Sequence, residues 1–356
     1  MIAKLAKARQ GRRRGVIAWA VVCALIPAVL VGTVDARSAP RPVPSAADIL
    51  RTMLAAPARI DYEGTKVIST VRGARAETVT ILEAYKRLGR LRLEFLSPES
   101  VSGRLIVDDG LSAWQYEPSL HLVVRGPSFV QGTARPERAG EIMRRYRVEV
   151  LGREAVIGRE TVVLGLAPGE TGSNRRLWVD EATGVVLRTE ERDPQGEIVY
   201  VSYFSRISYS LNLPPALFRF RQPAGAKVLS FYVSGEAVTS VDELRRRAGT
   251  KIAIPARLLR YTFRDGRVAQ HGAFASASAT YTDGVSVVTV FQTPTSRMAF
   301  PNVGETVTTR EGPARYLDVG YFRVLVWQRA GTNFALVGNV PQAVLLAAAD
   351  ELAVSR

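Results

Sequence analysis

Histidine and cysteine are almost missing from this chain: His121, His271 and Cys23 are the whole supply among 356 residues. Two histidines far apart in sequence cannot make the close-spaced Cys/His cluster that zinc needs, so no metal site is expected. A lone cysteine leaves nothing to pair with, so no internal disulfide is available and stability has to come from a core. Activated nucleophiles are equally scarce. There is no Gly-x-Ser-x-Gly elbow, no Ser-x-x-Lys with its companion motifs, no His-Glu-x-x-His helix and no phosphate-cradling glycine loop. The sequence therefore offers no catalytic residue, calls for no cofactor and reads as a non-enzyme. Lysine is rare too, with six among 48 basic residues, so the net charge of +15 is carried by arginine.

Part of that charge sits at the N-terminus. Lys4, Lys7, Arg9, Arg12, Arg13 and Arg14 precede the apolar run Val16 to Gly32, and small residues follow at Val34-Asp35-Ala36. This is the layout of a secretory signal peptide over residues 1–36, followed by a Pro-rich linker over 37–45. Cleavage after Ala36 removes six basic residues and one acid and leaves a net charge of +10. The exported chain would then be periplasmic and free of cysteine. A retained membrane anchor is the other reading of the same run, which is slightly shorter than the ~20 residues a spanning helix needs.

The remaining arginines are spread along strands opposite acids, as in Leu187 to Asp193, and the densest run, Arg245 to Arg247, follows Asp242 and Glu243. That is a solvated face rather than a nucleic-acid footprint. The charge suits an acidic protein partner or a peripheral contact with an acidic membrane surface.

Hydrophobic spacing changes along the chain. Ser45 stands as an N-cap before Ile49, Leu50, Met53 and Leu54 at helical spacing. From Ile60 the pattern alternates in short runs separated by Gly, Pro, Asp or Ser, which reads as an antiparallel meander. A helical segment from Pro136 to Tyr146 interrupts it, and strands resume through Leu217 to Pro223. Reversals are expected at Ala182-Thr183-Gly184 and Pro194-Gln195-Gly196. Beyond Pro223-Ala224-Gly225 the order changes to a helix at Ser240 to Gly249, more strands, and a last apolar helix from Val340. This places a domain boundary at 225/226. Asp-Gly recurs at Asp109-Gly110, Asp265-Gly266 and Asp283-Gly284, a pair favoured in tight hairpins. Asp108 and Asp109 are accordingly read as hairpin acids.

If the meander curls, Leu91, Leu93, Phe95, Leu105, Val107, Trp114, Tyr116, Leu177 and Val179 fall at matching parity within their strands and would share its inner face. They would line either a packed core or an apolar cavity.

The stretches 103–118, 175–207 and 213–228, with the Asp-Gly hairpin leading into Trp114-Gln115-Tyr116 and the strand Trp178-Val179-Asp180 leading to Thr183-Gly184, resemble the LolA-like superfamily of lipoprotein carriers and sensors. Residues 279–294, Gly312 to Tyr316 and 327–352 are similar to the C-terminal domain of the RseB/MucB sigma-E regulatory family. The resemblance implies a mainly β, α+β fold. An incomplete antiparallel β-barrel with covering helices would occupy residues 46–225 and a smaller α+β domain residues 226–356. It further implies an acyl-chain cavity lined by the nine residues above, and binding to the periplasmic part of a membrane anti-sigma factor in an envelope stress response. A lipid or lipoprotein carrier is the alternative it leaves open.

Overall fold

The computed structural model describes residues 44–354 except 73–74, 131–134, 169–173, 210–211, 232, 250–251, 273, 284–285, 296–303 and 319–321. The expected signal peptide, Cys23 and most of the expected linker lie outside the described residues. Among the described residues, no helix is long and apolar enough to cross a membrane.

The architecture is mainly β, as the alternation predicts, in two open sheets. The first sheet holds β1 (Tyr62–Arg72), β2 (Arg75–Lys86), β3 (Arg90–Ser97), β4 (Leu105–Asp108), β5 (Ser112–Glu117) and β6 (Leu122–Pro127). It continues with β7 (Tyr146–Val156), β8 (Arg159–Pro168), β9 (Asn174–Asp180), β10 (Val186–Arg192), β11 (Ile198–Tyr209) and β12 (Lys227–Ser230). Their spatial order is β12-β6-β5-β4-β3-β2-β1-β11-β10-β9-β8-β7, so two meanders join where β1 meets β11. The end strands β12 and β7 do not pair, which leaves the barrel incomplete. β12 adds parallel to β6, with Lys227 opposite Leu122.

Two helices cover one end of the inner face. α1 (Ala46–Arg59) starts at Ser45, whose hydroxyl accepts from the Asp48 amide as the spacing predicts. With α2 (Ala139–Arg145) it places Ile49, Leu50, Ala139 and Ile142 on Leu164, Leu166, Leu177 and Val179. Eight more strands form the second sheet: β13 (Arg257–Leu258), β14 (Tyr261–His271), β15 (Phe274–Thr282), β16 (Val287–Pro294), β17 (Glu305–Thr309), β18 (Gly312–Asp318), β19 (Arg323–Arg329) and β20 (Thr332–Gly338). One face of this sheet packs on α3 (Val241–Ala248) and α4 (Gln342–Val354) through Leu244, Tyr281, Leu336, Leu345 and Ala349. Its other face meets the first sheet, where Leu122, Leu229 and Phe231 pack with Phe291, Val324 and Val326.

Two local expectations are corrected. Leu217 to Pro223 is not a strand: Pro215–Phe218 is a 3-10 turn entered through Pro214, because prolines cannot donate to a ladder. Asp265-Gly266 is not a hairpin tip but lies inside β14, Gly266 pairing with Ala279. Glycine is required there because a Cβ would come within 2.7 Å of the Ser278 carbonyl oxygen, which is fixed in the neighbouring strand, and 2.3 Å of Leu244 on α3. The reversals at 182–184 and 194–196 fall where the sequence puts them.

Candidate functional site

The register of the first sheet divides the nine predicted lining residues between its two faces. Residues directly opposite in adjacent strands share a face. Leu93 pairs with Ile106, whereas Leu105 and Val107 pair with Glu94 and Arg92. Leu105 in turn faces Tyr116, and Val107 faces Trp114. Leu91, Leu93 and Phe95 therefore point inward with Leu177 and Val179, while Leu105, Val107, Trp114 and Tyr116 point outward. The single shared face expected from the sequence is not formed. Parity fixes faces only within a strand, and the turn at 98–104 sets the offset between β3 and β4 independently of it.

The outward group is covered by the chain that leaves β11. Trp114 stacks on Phe220 with ring centroids 5.4 Å apart, and the Arg125 guanidinium lies 4.5 Å over Trp114. Phe218 and Leu213 bury against Ala84. The Tyr116 hydroxyl meets His121 Nδ1 at 3.1 Å, and His121 Nε2 meets the Ala224 carbonyl at 3.0 Å, so this histidine fastens the crossover to the second sheet.

The inward group is split as well. Leu91, Leu93 and Phe95 pack with Ile81, Ile106 and Val130, whereas Leu177 and Val179 lie under α1 and α2. Between the two clusters stands a buried polar element. The Lys66 ammonium is 2.6 Å from the Glu83 carboxylate, Tyr62 donates to the same carboxylate at 2.6 Å, and Lys66 also lies 4.4 Å over the Phe204 ring. An acyl chain running along this face would have to cross that ion pair.

The open space lies between the sheets. A cavity of about 680 Å³ is bordered on the first sheet by Ile106, Ala113, Gln115 and Val124, and on the second by Thr280, Thr289, Phe291, Val324 and Val337. Its volume is in the range of small-molecule sites. Of the nine predicted residues only Trp114 borders it. Phe129 and Phe322 close one side edge-to-face, with centroids 4.4 Å apart. Arg135, Arg264 and Arg267 against the single acid Asp265 give the border a net positive charge. Arg264 is paired to Asp265, and Arg267 donates to the Gly235 carbonyl at 2.6 Å. An apolar interior with cations at the border suits an amphiphile with an anionic head. No period-two reading could find this site, because half of its wall comes from strands more than a hundred residues away.

Asp108 settles the question of the paired acids. Asp109 is a turn acid: its Oδ1 accepts from the Leu111 and Ser112 amides at 2.8 Å each. Asp108 is fully buried and does more. Its Oδ1 takes the Gly110 amide at 2.9 Å, and its Oδ2 takes the amides of Phe129 at 2.9 Å and Val130 at 3.3 Å. It thus anchors the loop whose Ser128 and Phe129 border the cavity. Burial pushes its pKa up, and the hydrogen bonds from Gly110, Ser128, Phe129 and Val130 offset this only in part.

A polar clamp fastens the sheets beside the cavity. The Tyr146 hydroxyl donates to buried Asp283 at 2.9 Å, and Arg260 donates to the same oxygen at 3.1 Å. Arg145 reaches the Thr282 carbonyl at 3.3 Å and the Thr262 hydroxyl at 3.1 Å. Burial, then Asp283, pushes the Tyr261 hydroxyl up to about 12 and raises Tyr146 as well, so both phenols stay protonated at neutral pH. Among the described residues, no cluster of three or more His, Cys, Asp or Glu could hold a metal ion.

The Trp-Val-Asp and Thr-Gly residues are scaffold. Trp178 Nε1 donates to Glu154 at 2.7 Å, and Arg159 and the Ala182 amide both donate to Asp180. Gly184, at φ +77°, lets α1 approach: a Cβ there would come 2.6 Å from the Thr52 carbonyl oxygen.

The family model for the MucB/RseB N-terminal domain matches residues 45–219. A search among curated proteins found no match. Among solved structures, a crystal structure of MucB is 18% identical, with a TM-score of 0.50 over 87% of this chain and 96% of that one. The complex structure of Pseudomonas aeruginosa MucA/MucB gives 18% identity and a TM-score of 0.47, covering 85% and 96%. A LolA superfamily protein from Nitrosomonas europaea, at 16% identity and a TM-score of 0.28, covers 50% of this chain and 99% of its own. Residues 45–219 are therefore a domain of the MucB/RseB N-terminal family.

Proposed function

We propose that this chain is an exported, non-enzymatic regulator that binds the periplasmic segment of a membrane anti-sigma factor and responds to a lipid or lipoprotein acyl chain. The observation that carries the reading is the MucB/RseB N-terminal domain over residues 45–219. The MucB structure solved with MucA supplies the kind of partner. The apolar cavity with its arginine border supplies a place for an anionic amphiphile. In this reading residues 46–225 and 226–356 act together, because each half provides one wall.

Two measurements test it. Affinity capture from an envelope fraction should recover a single-span anti-sigma factor, with recovery falling as salt rises, because the attraction between a basic protein and an acidic segment is screened. Recovery of mature lipoproteins alone would instead make the chain a carrier. Uptake of a fluorescent fatty acid should be saturable, and Ala113→Trp, which fills the cavity from its wall, should weaken it at least tenfold without loss of stability. Undiminished uptake by that variant would exclude the inter-sheet cavity as the site.

A further inference from the structure

Two of the most exposed large apolar side chains stand together at one end of the first sheet. Leu88, in the β2–β3 turn, is 81% exposed, and Leu111, in the β4–β5 turn, is 72% exposed. The turns touch: a Cβ on Gly110 would come within 3.0 Å of the Gly89 carbonyl oxygen. Leu88 holds φ at +69°, a conformation that leucine rarely adopts. The turn is pinned there, since the Leu88 amide donates to the Pro57 carbonyl at 3.1 Å and the Arg87 amide donates to Asp61 at 2.7 Å. The same end of the sheet carries the β7–β8 turn, where Ile157 at φ +48° is 42% exposed.

Single exposed leucines need no explanation, but neighbouring leucines held outward at adjoining turn tips do. The charge around them is arranged asymmetrically. Arg59 and Arg87 are exposed beside the pair. The nearby acids turn inward: Asp61, itself largely buried, accepts the Arg87 amide and lies 3.9 Å from the guanidinium of Arg87, which stays 59% exposed, and Asp109 accepts the Leu111 and Ser112 amides. Apolar tips flanked by outward arginines match the interface of an anionic bilayer, where leucine enters the acyl boundary and guanidinium stays among the headgroups.

We propose that the Leu88 and Leu111 tips, with Arg59 and Arg87, form a docking surface for an anionic membrane. Leu111 also borders the inter-sheet cavity, so docking brings the edge of that cavity to the lipid. The surface stands on exposure and charge alone and does not depend on what occupies the cavity.

Residues 44–356, which make one compact unit, are the material for the test because they exclude the N-terminal apolar run. Cosedimentation with phosphatidylglycerol vesicles at low salt should retain the protein, and pure phosphatidylcholine vesicles should not. Leu88→Ser with Leu111→Ser should lower the partition coefficient roughly tenfold, for two partly inserted leucines. Arg87→Gln should lower it by roughly fivefold and only on anionic vesicles. Leu120→Ser, at a leucine 39% exposed elsewhere, should change nothing. Unfolding curves matched to wild type confirm that the variants are folded. Equal partition of the double leucine variant and wild type would overturn the proposal, as would wild type failing to bind either vesicle. Dimerisation of wild type without vesicles, abolished by the same two substitutions, would reassign the patch to a second copy of the chain.

Discussion

Replacing Asp108 by alanine removes the acceptor shared by the amides of Gly110, Phe129 and Val130. A buried donor left without a partner costs about 1–3 kcal/mol, but Gly110 and Phe129 are only half-buried and can recruit water. The loss should therefore be on the order of 2–4 kcal/mol, dominated by Val130 and by the apolar cluster it covers. Asp108→Asn keeps an acceptor oxygen and should cost only about 1 kcal/mol. Urea unfolding of the three proteins at fixed pH measures both differences. The pH dependence gives an independent check. Burial raises the pKa of Asp108 above its ordinary 3.8, so between that value and the folded-state pKa the folded protein binds the extra proton. This group's contribution to stability thus increases as pH falls through the folded pKa. The advantage of wild type over Asp108→Asn should widen on acidification from neutral pH, since the other carboxylates cancel in the comparison. An advantage that shrinks, or an alanine variant as stable as wild type, would refute the role given to this carboxylate. Fatty-acid uptake should weaken in Asp108→Asn as well, because the released loop carries Ser128 and Phe129 of the cavity wall.

Asp180 has the opposite sign. Burial alone would raise its pKa, but hydrogen bonds from Arg159 and the Ala182 amide outweigh that and hold it below the ordinary 3.8. Its contribution is complete above 3.8 and is lost as pH falls through the folded value. Asp180→Asn should be less stable at neutral pH and show a flatter loss in acid unfolding. Gly184→Ala forces a side chain into positive φ, about 1–2 kcal/mol, and also drives it against the Thr52 backbone, so its total should exceed about 2 kcal/mol. Gly196→Ala, at φ +90° with nothing within 4 Å, meets only the first cost. Equal losses for the two glycines would show that the approach of α1 does not matter.

What could be read from the sequence was what is decided locally. The Ser45 cap, the alternation in Leu91, Leu93 and Phe95, and the turns at 184 and 196 each depend on a few adjacent residues, and each is found. What failed depended on distant chain. Leu105, Val107, Trp114 and Tyr116 sit on the outer face because the β3–β4 connection sets the register, and no residue inside either strand carries that information. Gly266 looked like a turn because Asp-Gly is a turn pair, but its glycine is required by the Ser278 carbonyl of the neighbouring strand and by Leu244, which arrives from α3. His121 counted in the sequence only as a histidine too isolated for a metal site, yet it is a left-handed cap whose ring holds the Ala224 carbonyl.

The cavity could not have been read from either half alone. An open sheet leaves an inner face that must be covered, and here two different covers meet it: helices over β7 to β9, and a second sheet over β4 to β6. Twisted sheets packed face to face cannot stay in contact everywhere. They touch along the cluster around Phe231 and Phe291 and part beside it, and the space left is the cavity. The Tyr146–Asp283 and Arg145–Thr282 bonds fasten the same interface at the end of β15, two and three residues beyond Thr280, which borders that space. A ligand in the cavity and the clamp beside it would therefore act on one degree of freedom, the separation of the sheets. A ligand shifts that separation only to the extent that it binds one spacing better than another. The acyl chain proposed above would do so through area: it would replace contacts between the sheets with contacts of its own, and the favoured spacing would be the one that leaves the least apolar wall facing water.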